Sequence, residues 1–448
     1  MSQNITMQAY TNRHIWKITY PLLISLLMEN LIGLTDVAFL GRVGDVELGA
    51  SALAGVYFMA IFMLGFGFSI GVQILIARRN GEGRPREIGK IFQQGLLFLL
   101  CFAAVMFFVS KQYTPRLLRT LIESDAVYAA AVAYLDWRVY GFFFSFAAVL
   151  FRAFYVGTTN TRLLTANSII MVLTNIVLNY ILIFGKLGCP ALGIAGAAIA
   201  SSIAELSSLL FFAIHTRLHG YAKRYGLFRL QGFNLSILTQ IFNVSIWTML
   251  QAFISTGTWF IFFLTVEHLG ERPLAISNIV RSVSSILFVT VSAYSSTTSA
   301  LTSTLMGKGE YDQVMPTVRQ IIGLAYRLAL PVMILICLFP SVVLRLYTND
   351  LTLIAASVGS LWVMVAGYLT LIPGSIYFNA VSGTGNSFMA MLMELGALAL
   401  YVLSIWWIII LHRPSITLCW TVDIIYSIGL LLFTYLYLVK ANWRNKKI

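Results

Sequence analysis

From Leu351 to Met393 the chain contains no Asp, Glu, Lys or Arg. A transmembrane helix needs about 20 consecutive, mostly apolar residues, so this single run is long enough for two. The turn-forming stretch Ser382-Gly383-Thr384-Gly385-Asn386 divides it. The same punctuation elsewhere predicts spans near 14–40, 50–77, 91–110, 126–156, 163–185 and 193–216 in the first half. The second half offers 235–266, 274–305, 318–342, 351–381, 386–411 and 416–439. Composition agrees: 59% of the residues are hydrophobic, 10% are charged and the mean hydropathy is +0.83. A soluble domain carries about 25% charged residues, so this chain could not cover its surface in water. An all-α integral membrane protein of twelve helices is the expected fold class.

The 30 Lys and Arg against 17 Asp and Glu read as an orientation signal and not as a nucleic-acid surface, because basic residues gather in cytoplasmic loops. With the amino terminus in the cytoplasm, that side takes Arg13, Lys17, the five between Arg78 and Lys90, and Arg162. It also takes Arg217, Lys223, Arg224, Arg229, Lys308, Arg319, Lys440, Arg444, Lys446 and Lys447, for 18. The other side holds 8 (Arg42, Lys111, Arg116, Arg119, Lys186, Arg272, Arg345 and Arg413), and four arginines fall within spans. Both termini are expected inside, in a plasma membrane. The first twelve residues are polar, and the apolar stretch after them is too long for a signal-peptide core. Cys101, Cys189, Cys337 and Cys419 are scattered without metal-ligand spacing and read as small hydrophobes.

Sliding the sequence on itself by 226 residues aligns Gly44 with Gly270, Leu48 with Leu274 and Ser51 with Ser277. Gly81 and Gly83 meet Gly307 and Gly309, Gln94 meets Gln320, and Gly141 meets Gly367. The run Gly157-Thr158-Thr159-Asn160 meets Gly383-Thr384-Gly385-Asn386. One shift sustained over this length, with matches at turns, indicates duplication. Six helices per half is an even number, so the halves are parallel repeats about an axis along the membrane normal. The expected division is an amino-terminal lobe over 1–217, a cytoplasmic linker over 218–234 and a carboxyl-terminal lobe over 235–448.

A charge inside the bilayer costs several kcal/mol and is a functional candidate. Asp36 lies late in the first span, three residues after Gly33 and fifteen after Pro21, both of which loosen a helix. Glu29 lies two helical turns earlier on roughly the same face, so the two carboxylates are expected to titrate as a coupled pair. The blander reading has Asp36 capping the loop at Gly41 or pairing with an arginine. Asn175 and Asn179 stand at i and i+4 on the fifth span and face the same way. They could ligate a small cation or only bond between helices. Glu205, the one acid of the sixth span, follows Ser201 by a turn and is a candidate for the same polar cluster. Asp136 and Arg138 read as interfacial residues near the start of the fourth span, and Arg152 as a structural contact near its end. The seventh span holds no acid from Leu235 to Val266, so ion chemistry is expected in the first half, although Arg281, Arg327, Glu394 and Asp423 lie within later spans. A cavity lined by some of the 61 aromatic residues (31 Phe, 21 Tyr and 9 Trp) with one carboxylate would suit flat amphiphilic cations.

Several of these segments resemble MATE transporters, the multidrug and toxic compound extrusion family. They are Pro21 through Gly44, the loop Asn80-Gly81-Glu82-Gly83, Gly157 through Thr161, Asn175 through Tyr180, and Gly193 through Ser201. The resemblance covers essentially the whole chain. It implies a V-shaped pair of six-helix lobes acting as a monomer and exporting organic cations in exchange for H+ or Na+, with no other cofactor. The family's first-span aspartate falls on Asp36, its bending proline on Pro21, and its polar cluster on Asn175, Asn179 and Ser201. Asp36, Asn175 and Asn179 would be the metal ligands if the ion is Na+. Some members have an aspartate at the position of Asn179, and others have acids in the middle of the seventh and tenth helices. This chain has neither, and Trp247 stands where a second-half counterpart of Pro21 would be.

Three other readings remain. A lipid-linked or otherwise specialised anionic cargo would favour fourteen spans and a more basic cavity. A major-facilitator carrier would couple an aspartate to an Arg-Gly-Arg-like second loop, where this chain has Arg78-Arg79-Asn80-Gly81-Glu82-Gly83-Arg84. A membrane enzyme finds no support: the five histidines fall at span ends or loops, and His215 and His219 sit in a basic collar. No phosphate-binding loop is present, so transport would draw on an ion gradient.

Overall fold

The computed structural model describes residues 10–228 and 232–444, and the regular structure among them is helical throughout. Arg229, Lys446 and Lys447, counted above for the cytoplasmic side, lie outside the described residues. In chain order the helices are α1 (Asn12–Leu40), α2 (Asp45–Gly81), α3 (Pro85–Leu121), α4 (Asp125–Arg138), α5 (Gly141–Gly157), α6 (Arg162–Phe184), α7 (Gly193–Leu218) and α8 (Tyr221–Tyr225). There follow α9 (Leu235–Glu267), α10 (Glu271–Lys308), α11 (Val314–Leu338), α12 (Pro340–Arg345), α13 (Leu351–Gly383), α14 (Ser387–Ser404), α15 (Ile416–Cys419) and α16 (Thr421–Lys440). A π-helical segment, Ile405–Leu411, prolongs α14. Among the described residues, eleven helical segments are long and apolar enough to cross a membrane, and α4 with α5, bent by 51°, brings the number to twelve when the pair is counted as one span. Their flanks expose large apolar side chains such as Leu34, Phe108, Leu121 and Leu403. In water such patches would drive association, whereas against lipid they are the expected surface.

The duplication is visible in the helix ends. α2 and α10 begin at Asp45 and Glu271, and α4 and α13 begin at Asp125 and Leu351. Both pairs are offset by the same 226 residues. The N-caps of the second pair also correspond. The Ser124 side chain accepts from the Val127 N–H, and the Asp350 carboxylate accepts from Thr352 and Leu353, each satisfying donors that a first turn leaves open. The halves differ most relevantly to the site at one break, although the second half also interrupts, between α11 and α12, the stretch that α3 crosses without a break. α13 is continuous over the stretch that in the first half breaks between Arg138 and Gly141.

The chain packs as two compact units, one of residues 24–249 and the other of 10–23 with 250–444. In the first unit the opening of α9 lies on α2, where the Thr248 hydroxyl donates to the Gly67 carbonyl at 2.7 Å. In the second the opening of α1 lies on α10, where the Thr19 and Thr297 hydroxyls are 3.0 Å apart. α1 and α9 each therefore have residues in both units. Buried polar contacts of this kind are the expected glue between helices in lipid, where apolar surface gives no drive to associate.

Candidate ion-coupling site

The site begins with the close approach of α6 and α7. A Cβ placed on Gly196 would stand 2.6 Å from the Leu182 carbonyl oxygen, so only glycine lets the two backbones come this near. That approach carries Ser201 of α7 to Asn175 of α6, whose Nδ2 donates to the Ser201 hydroxyl at 3.2 Å. One turn on, Asn179 donates to the Asn175 Oδ1 atom at 3.0 Å. Both asparagines are fully buried. Their amides meet Asp36, which projects from the last part of α1. Asn179 donates to one carboxylate oxygen at 2.5 Å, and Ser201 donates to the other at 3.3 Å.

Asp36 makes no ion pair among the described residues. Its negative charge is held by neutral donors from two other helices, which is chemically suited to a cation or a proton that comes and goes. The oxygens on offer are two from Asp36, one from each asparagine and one from Ser201, a set of the kind hard cations take. The Asn179 Oδ1 atom is buried and accepts no hydrogen bond, leaving free acceptor capacity beside the carboxylate. These residues fit Na+, and they equally fit a proton on Asp36. Among the described residues, no group of three or more His, Cys, Asp or Glu could hold a metal.

Glu29 stands apart from this cluster. Its Oε1 atom accepts from Arg152 at 2.8 Å and from Ser25 at 3.4 Å. The packing therefore matches Glu29 with an arginine from α5, and not with Asp36 as a coupled carboxylate pair. Pro21 lies inside α1, upstream of the whole site. Glu205 belongs to a second polar group beside the first. Both of its oxygens are held by Arg138, at 2.5 and 2.9 Å, and the guanidinium also lies 3.6 Å from the centre of the Phe58 ring. Arg138 is within electrostatic reach of Asp36 as well.

Arg138 corrects its interfacial reading: it is 9% exposed and turned inward. It occupies the last turn of α4, where the helix dipole favours a cation, and the bend between α4 and α5 ends the helix there. A Cβ on Gly141 would collide with the Arg138 guanidinium and come within 2.6 Å of Glu205. In the sequence Gly141 stood out only as a match to Gly367 in the repeat. Asp136 does sit at the margin, bonded to Lys111 at 2.9 Å.

Comparison with known proteins follows the same outline. The MatE family model matches residues 21–181 and again 248–408, two copies of one pattern as the duplication requires. A "Probable multidrug resistance protein NorM" from Synechocystis is 29% identical over 354 residues, covering 78% of this chain and 76% of that protein. Its namesake from Idiomarina loihiensis is 28% identical over 280 residues, covering 61% and 59%. Among solved structures, an outward-facing multidrug resistance MATE family transporter of the MOP superfamily superposes with a TM-score of 0.87 at 19% identity, over 97% of both chains. A MOP superfamily transporter from Pyrococcus furiosus, described as having a binding pocket of reverse polarity that suggests a different function, gives 0.86 at 19% identity over 95% of both.

Proposed function

The chain belongs to the MatE family, and from that premise we propose that it is a secondary multidrug exporter of the bacterial inner membrane, with both termini in the cytoplasm. It exchanges organic, often cationic, amphiphiles for H+ or Na+ by alternating access. The observation that carries this reading is Asp36, an intramembrane carboxylate that makes no ion pair among the described residues and is held by Asn179 and Ser201. A charge so placed, with no directly bonded counter-ion, is costly and is a functional candidate. Ion binding from outside neutralises Asp36, α1 bends about Pro21, and the cargo is released. Cargo and ion then weaken each other's binding by the same factor.

A second reading, an anionic cargo, is favoured by Arg281. This arginine lies ten residues into α10 on an exposed face and makes no ion pair among the described residues. Its guanidinium sits 5.1 Å from the Phe263 ring and 6.0 Å from the Trp259 ring. The two readings separate in pump-deficient cells loaded with a panel of cationic and anionic dyes. Efflux of cationic dyes by wild type, lost in Asp36→Asn at equal membrane expression, supports the multidrug exporter. Equal efflux by both proteins would make Asp36 structural. Efflux confined to anionic dyes, and lost in Arg281→Gln, would favour the second reading.

A further inference from the structure

Residues 441–444 fold back over the end of α16. The helix stops at Lys440, and Ala441 takes an extended backbone while its N–H still donates to the Tyr437 carbonyl at 2.9 Å. Two residues later Trp443 is 3% exposed, and its indole N–H donates to the Leu438 carbonyl at 2.9 Å. Two carbonyls of the last turn, which a helix end leaves open, are thereby satisfied. The anchored indole also fixes the place of Arg444. Its guanidinium lies 5.9 Å from the Trp443 ring and pairs at 3.1 Å with Asp312, in the short turn that leads into α11.

Between this tail and the start of α11 lies a cavity of about 390 Å³. Met315 and Arg319 line one side of it, and Lys440, Asn442, Trp443 and Arg444 line the other. Met315 and Arg319 stand at i and i+4, on one face of α11. Arg319, Lys440 and Arg444 are all exposed. Among the described residues neither Arg319 nor Lys440 makes an ion pair, and no Asp or Glu lines the cavity. Three positive charges therefore have one carboxylate, Asp312, which engages Arg444 alone. The first turn of α11 carries no acid, and a helix N-terminus favours an anion.

Like charges gathered in one place repel until a counter-charge joins them. A phosphate offers oxygens that an arginine fork matches with two parallel bonds, and that a lysine meets as a point charge. The indole of Trp443 beside the cations suits the boundary between headgroups and acyl chains, and basic pockets between transmembrane helices take anionic headgroups. We propose that this cavity binds the phosphate of an anionic phospholipid, held by Arg319 and Lys440 and completed by Arg444, so that the headgroup ties the tail to α11. The site owes nothing to Asp36 or to the cargo, and it stands whichever ion the protein couples.

The test is native mass spectrometry of the purified full-length protein in detergent supplied with phosphatidylglycerol and an excess of phosphatidylcholine. Wild type is expected to retain one phosphatidylglycerol under activation that strips the other lipids, and to show a higher thermal midpoint with that lipid present. Arg319→Gln/Lys440→Gln is expected to lose both effects. Lys223→Gln/Arg224→Gln, a matched removal of two charges on α8, is expected to keep them. Asp312→Asn, which frees Arg444 from its carboxylate, is expected to hold the lipid at higher activation than wild type. Retention by Arg319→Gln/Lys440→Gln equal to wild type would overturn the proposal. Equal loss from the two double variants would also overturn it, by reducing the effect to overall basic charge. In a second arm inorganic phosphate replaces the lipid. A midpoint raised as much by phosphate, and insensitive to it in Arg319→Gln/Lys440→Gln, would put a free anion in the cavity and overturn the lipid assignment. Should Arg319→Gln/Lys440→Gln fail to fold, Asp312→Asn decides, because tighter retention supports the site and unchanged retention overturns it.

Discussion

Both oxygens of Glu205 are held by the two terminal nitrogens of Arg138, so removing either partner strands the other's charge in a poorly hydrated interior. Breaking a buried pair by removing one member typically costs about 3 kcal/mol or more, whereas replacing both members with apolar groups is often nearly neutral. Arg138→Met is therefore expected to lower thermal stability in lipid by about 3 kcal/mol, with most of the loss recovered in Arg138→Met/Glu205→Leu. A double variant no more stable than the single one would show that the pair is not the unit of stability. Much of the neighbouring cluster was legible beforehand. Asp36 declares itself by being charged inside a span, and Asn175 and Asn179 by their spacing on one helix face. The partner of Glu29 was not legible, because spacing along α1 says nothing about an arginine 123 residues away. Glu394 was visible as an acid within a span, but its partners Ser255 and Tyr426 depend on how α9, α14 and α16 pack.

Several helix ends followed the punctuation. The third span, expected over 91–110, instead runs from Pro85 to Leu121, and the span expected over 318–342 breaks before Pro340. The fourth span was misread in its course. It was expected to run unbroken over 126–156, but it breaks after Arg138 with no proline to announce it. The tertiary pairing of Arg138 with Glu205, which no local pattern reveals, lies at that break. The repeat also exposes a local strain. In the turn after α13, Gly385 has φ 90°, and at the equivalent position after α5, Thr159 has φ 60°. A β-branched residue in the left-handed region costs about 1–2 kcal/mol relative to glycine. Glycine would return part of that gain through its freer unfolded chain. Thr159→Gly is thus expected to stabilise the protein by roughly 1 kcal/mol, read as a higher midpoint of thermal unfolding in lipid. A midpoint that falls would mean that the Thr159 side chain makes a contact worth more than the strain.

At the scale of the whole molecule, twelve spans and the basic-residue bias predict that the loop after α6 faces outward and the segment before α9 faces inward. In a cysteine-free background, Leu187→Cys (a position 86% exposed) is expected to react with a membrane-impermeant maleimide in intact cells. Phe233→Cys is expected to react only after permeabilisation, and the reverse pattern would invert the topology. The duplication was legible at this scale because turns need particular residues and so keep the repeat in register. Which half holds an ion was not, since both halves carry acids and only packing shows what surrounds them. The central claim is that Asp36 couples cargo movement to an ion gradient. The most direct measurement is uptake of a fluorescent organic cation into proteoliposomes under an imposed proton or sodium gradient, for wild type and Asp36→Asn. The account predicts gradient-driven accumulation by wild type, and in the variant only equilibration that no gradient can bias. Accumulation by Asp36→Asn equal to that of wild type would contradict it.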